Sequence, residues 1–118
     1  MTDQLGERLY IVALSVKGDL SEDVCMGVID RVIEKIGMTK APGASISHYP
    51  VEGKGGLGFT LFQPITESFI AFDVWSALNG GYLVICSCKE FLIQDVAEVI
   101  ESFGLQVFDT RKAQVGLA

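Results

Sequence analysis

The chain has 118 residues, a net charge of −6 and a pI near 4.6, with 49% hydrophobic residues. That length supports one domain with a real core and not two, so residues 1–118 are read as a single domain. The acidic balance and the lack of a basic stripe speak against nucleic-acid binding, since Arg111-Lys112 is too small a cluster. No run approaches the ~20 apolar residues of a membrane helix.

Leu9 to Val16 is a nearly continuous apolar run and predicts a strand. Lys17-Gly18-Asp19 breaks it. The spacing of Val24, Val28, Val32 and Ile36, with Ile29 and Ile33 beside them, predicts an amphipathic helix over about 20–36. Asp19 or Ser21 can cap its start, and Gly37 stops it. Ala41-Pro42-Gly43 reads as a turn. Ser45 to Val51 predicts a second strand, ended by Glu52-Gly53-Lys54-Gly55-Gly56. This glycine-rich loop lacks the Gly-Lys-Ser/Thr ending of a phosphate loop and reads as a hairpin connection.

Gly58 to Phe62 predicts a third strand, with Pro64 marking an edge or bulge. Glu67 to Trp75 and Tyr82 to Cys88 flank Asn79-Gly80-Gly81 and predict a β-hairpin. A second helix is expected from Glu90 to Phe103, with Gly104 ending it. A short strand, Leu105 to Phe108, and a loose tail complete the chain. The order β-α-β-β-β-β-α-β predicts an α+β fold, with two helices on one face of a mainly antiparallel sheet. Two helices leave the other face bare. Tyr10, Phe59, Phe72 and Trp75 are expected to supply apolar area there, which suggests a homodimer.

The N-terminus has neither a basic nor an apolar leader region, so a cytoplasmic soluble protein is expected. Three cysteines, Cys25, Cys86 and Cys88, are an odd number and are expected to be reduced. With His48 they match no usual zinc spacing, so no metal is expected. His48 reads as a surface or strand-edge residue. Asp73, between Phe72 and Val74, is either solvent-facing by alternation or a functional carboxylate.

Ile-Thr-Glu-Ser-Phe-Ile-Ala-Phe-Asp-Val-Trp, residues 65–75, carries the most specific pattern, with Cys88 twenty residues beyond Ser68. Together with the Gly-x-Gly entering a strand, it resembles the self-cleavage region of the prokaryotic S-adenosylmethionine decarboxylases, over roughly residues 8–108. The resemblance implies that fold and a pyruvoyl-dependent decarboxylase of polyamine (spermidine) biosynthesis. It makes Glu67–Ser68 the scissile bond, Ser68 the precursor of the pyruvoyl cofactor and Cys88 the proton donor. The ligand would be S-adenosylmethionine or a related amine. Such a carbonyl serves as the electron sink for decarboxylation, and a thiol can return the proton.

The chain departs from the family at several positions. Phe69 follows the serine where the family has His. Asp73 stands at the processing His, and Ser76-Ala77 replaces Pro-Glu after Trp75. Leu57, or Thr60 if the gap lies elsewhere, takes the place of a processing Ser. These departures lead us to expect an unprocessed Glu67–Ser68 bond. The alternative is a non-catalytic homologue that binds a small molecule or a partner subunit.

Overall fold

In the computed structural model, which describes residues 7–51 and 56–117, Arg8–Lys17 forms β1 and Glu22–Lys35 forms α1. Four strands follow: β2 (Ser45–Val51), β3 (Gly56–Ile65), β4 (Ser68–Trp75) and β5 (Gly80–Ser87). Then come α2 (Ile93–Ser102) and β6 (Gln106–Gly116). The six strands make one sheet in the order β2-β3-β4-β5-β1-β6, with every neighbouring pair antiparallel.

The helix ends follow from local chemistry. Ser21 caps α1 by accepting the Val24 N–H at 3.2 Å, which satisfies one of the orphan donors of the first turn. Glu22 and Asp23 sit in that turn, where the helix dipole favours negative charge. Gly37, at φ 69°, takes the left-handed conformation that stops the helix, and the Met38 N–H closes back on the Ile33 carbonyl at 3.0 Å.

Both helices lie on one face of the sheet and pack against each other. Strand alternation sends Val12, Leu14 and Val16 of β1, Ile70, Phe72 and Val74 of β4, and Leu83 and Ile85 of β5 to that face. They meet Cys25, Val28, Ile29 and Val32 of α1 and Val96, Val99 and Ile100 of α2 in one core. Phe72 is fully buried there.

Four expectations are corrected. Phe72, Phe59 and Tyr10 are on the helix side, because their register places them with Leu83, Val74 and Ser87 in the core-facing rows. Of the aromatics expected on the open face, Trp75 alone is there, joined by Phe62, Phe69 and Tyr82. Strand β3 does not stop at Phe62. It runs through Pro64, which lies beyond the end of β2, so its missing N–H interrupts no ladder. The tail is not loose: β6 continues to Gly116 and pairs along the whole of β1, with a bulge at Ser15/Val16. The second helix starts at Ile93 and not at Glu90. Most of the glycine-rich loop, residues 52–55, lies outside the described residues. No helix among the described residues is long and apolar enough to cross a membrane.

Candidate functional site: the Glu67–Ser68 hairpin

Strands β3 and β4 are joined by only two residues, Thr66 and Glu67, between the paired Ile65 and Ser68. Tight hairpins normally use primed turns, whose positive φ values match the twist of the strands. Neither Thr66 nor Glu67 has a positive φ, whereas Ser68 has φ 153°. The mismatch between turn and strand twist is therefore taken up by the serine. That region of backbone space is close to glycine-only and costs of order 1–3 kcal/mol for another residue.

The carbonyl of the bond before Ser68 is held from the neighbouring strand. The Cys88 N–H donates to the Glu67 oxygen at 3.0 Å, one register step beyond the Ser68–Ser87 pair. The Glu67 carboxylate accepts the Thr39 N–H at 3.1 Å, and the Thr66 N–H donates to the Thr39 carbonyl at 2.9 Å. The hairpin tip is thus tied both to β5 and to the segment after α1. Ser87, fully buried next to Ser68, accepts the Lys89 N–H at 2.9 Å and lies 2.8 Å from the Lys89 carbonyl. Ser68 Oγ has no hydrogen-bond partner among the described residues.

The structure brings the backbones of Glu67, Ser68 and Cys88 together, with the Cys88 side chain by alternation on the face opposite Ser68, and leaves Asp73 elsewhere. Five residues along a strand is roughly 17 Å, and an odd separation reverses the face. Asp73 therefore cannot take the expected processing place beside Ser68. On the open face its Oδ1 accepts from the Tyr49 hydroxyl at 2.7 Å and the Thr60 hydroxyl at 2.9 Å. The two hydroxyl oxygens are themselves 3.0 Å apart, so two protons serve three short contacts. The contact with Thr60 lowers the Tyr49 pKa. The hydrogen bond to Asp73, burial and the Asp73 charge outweigh it, and the phenol stays above its ordinary value.

Of the two positions proposed for the processing hydroxyl, Thr60 is the one directly opposite Asp73. Leu57 is opposite Pro50, and its backbone bonds Ser76 Oγ. Trp75 stands edge-on to Tyr82, with ring centroids 5.4 Å apart. Both rings wall a groove of about 550 Å³ that also reaches Lys17, Phe108 and Arg111. This groove is at the Trp75 end of β4, far from Ser68, so the groove and the hairpin are separate places.

The remaining cysteines and His48 do not converge. Cys25 is buried in α1, and burial, followed by the Glu22 charge, pushes its thiol up to about 12. Cys86 lies opposite Ile11 and Phe69, where burial raises its pKa. His48, on edge strand β2, meets Glu22 at 3.1 Å. No group of three or more potential metal ligands is found among the described residues.

Tyr49 and Tyr82 were not singled out from the sequence. Alternation along β2 and the hairpin register could have placed both near Asp73, had the pairing of β2 with β3 been fixed.

No family model matches the sequence, and no curated protein matches it. Among solved structures, the crystal structure of the adenosylmethionine decarboxylase from Aquifex aeolicus VF5 superposes with a TM-score of 0.53. The match covers 94% of this chain and 92% of that one, at 13% identity. The fold is adenosylmethionine decarboxylase-like. Within a decarboxylase-like fold, the order of elements and the two-helix layer are accounted for from end to end. At 13% identity the likeness concerns architecture alone.

Proposed function

We propose that this protein is an adenosylmethionine decarboxylase-related precursor whose hairpin, against the unprocessed bond expected from the departures at Phe69, Asp73 and Leu57, cleaves itself between Glu67 and Ser68 and yields a pyruvoyl-dependent amino-acid decarboxylase. The observation that carries this reading is the pairing of a strained Ser68 (φ 153°) with a Glu67 carbonyl held by the Cys88 N–H at 3.0 Å. A donor on a carbonyl oxygen stabilises the charge that develops when a nucleophile adds. Strain at the serine is released when the bond breaks.

Ser68 Oγ would add to the Glu67 carbonyl carbon. The C–N bond then breaks, the serine nitrogen takes a proton, and an ester remains. Loss of the Ser68 α-proton expels the Glu67 carboxylate, and water replaces the resulting nitrogen with oxygen, releasing ammonia. The pyruvoyl group so formed supplies an electron sink when carbon dioxide leaves an amine-bearing substrate. Cys88, opposite Glu67, is the proposed proton donor to the product.

The proposed substrate is S-adenosylmethionine or a related amine of polyamine (spermidine) synthesis, in the cytoplasm. The apolar open face, with Phe62 stacked on Phe69 at 5.2 Å, is the proposed homodimer contact.

A second reading, a non-catalytic homologue that binds a small molecule, is favoured by a different observation. Asp73 is committed to Tyr49 and Thr60 on the opposite face, and no base contacts Ser68 Oγ among the described residues. Intact-mass analysis, paired with release of labelled carbon dioxide from S-adenosylmethionine, separates the two. A single full-length species without carbon dioxide release would rule out the first reading.

A further inference from the structure

Two helices cannot roof six strands, and on the helix side the shortfall is at the β2 edge. Met26, Ile29 and Asp30 of α1, spaced i, i+3 and i+4, face that edge on one side of the helix. Across from them, Ile46 of β2 pairs with Leu61 of β3, and Gln63 follows two residues along. The space between is a cleft of about 260 Å³.

Its floor is apolar, with Ile29 and Leu61 buried, and two exposed hydrophobics, Met26 and Ile46, stand at its mouth. The rim is electrically neutral, because Lys40 Nζ pairs with Asp30 Oδ1 at 2.8 Å. Gln63 is the buried polar group of the lining, only 4% exposed. Its Nε2 donates to the Ala41 carbonyl at 2.9 Å and the Pro64 carbonyl at 2.7 Å. Two carbonyl partners fix which end of the amide is nitrogen. Gln63 Oε1 has no protein partner among the described residues and keeps contact with solvent, since no fully buried side-chain oxygen or nitrogen among them lacks a partner.

We propose that this cleft is a binding site for a small, uncharged, mainly apolar molecule that carries one hydrogen-bond donor for Gln63 Oε1. The volume suits a one- or two-ring compound, since a dry cavity of roughly 150 Å³ already holds benzene. The neutral rim gives no reward to a net charge, and the apolar floor penalises one. The donor is what distinguishes this ligand from a plain hydrocarbon, because an apolar ligand that covers this oxygen strips its water and leaves the acceptor unpaired, which is costly. The site is on the opposite side of the sheet from the Asp73 cluster and does not depend on cleavage at Ser68.

The test titrates ¹⁵N-labelled full-length protein with indole and, separately, with benzothiophene, which has nearly the same shape and no N–H. Saturable shifts should localise to residues 26–30, 44–46 and 61–63. Indole should bind about fivefold more tightly than benzothiophene. Met26→Trp, at an exposed position, should fill the mouth and abolish both. Gln63→Leu should erase the preference while keeping benzothiophene binding. Should that variant fail to fold, the wild-type comparison and Met26→Trp decide. Equal affinity for the two compounds overturns the role of Gln63. Shifts elsewhere, or none that saturate, overturn the site.

Discussion

The Cys88 N–H donates to the Glu67 carbonyl oxygen at 3.0 Å, and this contact sits on the peptide bond that precedes a strained serine. It couples β5 to the tip of the β3–β4 hairpin. The backbone donor, not the thiol, is what the structure places on the bond.

Replacing Ser68 by Gly should relieve the strain and raise stability by about 1 kcal/mol, measured by urea unfolding. Ser68→Ala keeps the strain and should give no such gain. Both remove the hydroxyl, so both should remain single chains of 12.8 kDa.

Asp73 should matter for stability and not for the hairpin. Asp73→Ala leaves the Tyr49 and Thr60 hydroxyls without their shared acceptor and should cost roughly 1–3 kcal/mol. Asp73→Asn, which keeps an acceptor, should cost less. Neither should change the extent of cleavage at Glu67–Ser68 in folded protein. A change in cleavage with unchanged stability would contradict the placement of Asp73 on the opposite face.

Cys25 should set part of the alkaline limit of stability. Its folded pKa of about 12 is above the ordinary 9.0. The unfolded chain therefore loses its thiol proton first, and stability falls as pH rises from about 9 toward 12. The difference corresponds to roughly 4 kcal/mol across that window. Cys25→Ala should lower stability at pH 7 through the lost buried volume but flatten this slope. Unfolding curves at pH 8, 9.5 and 11 check it.

A dimer through the open face should be sensitive to Phe69 and Phe62. Phe69→Glu places a carboxylate among Phe62, Cys86 and Ala71 of that face. Light scattering should then give the mass of one chain where the wild type gives two. A wild-type mass of one chain at high concentration would contradict the dimer.

The element order and the single helix layer were legible because periodicity reports them directly: Val24, Val28 and Val32 for α1, and the alternation of β4. Which face each strand showed was not legible from one strand alone. Phe72 and Asp73 are adjacent and point opposite ways, and only the register with β5 tells which row meets the helices. The length of β6 was hidden because Thr110 to Gln114 is polar, yet an edge strand paired to β1 is allowed to be. At the site, Glu67, Ser68 and Cys88 were singled out by the resemblance to a known family. Tyr49 and Gln63 were not, because their roles depend on partners far away in the chain.

The most direct measurement is intact-mass spectrometry of purified wild-type protein over a long incubation, with Ser68→Ala alongside. Cleavage should give two fragments, one ending at Glu67 and the other lighter by one ammonia than a fragment beginning with an unaltered Ser68. The variant should remain whole. Wild-type protein that stays a single 12.8 kDa species throughout would contradict the self-cleaving reading and leave a non-catalytic homologue.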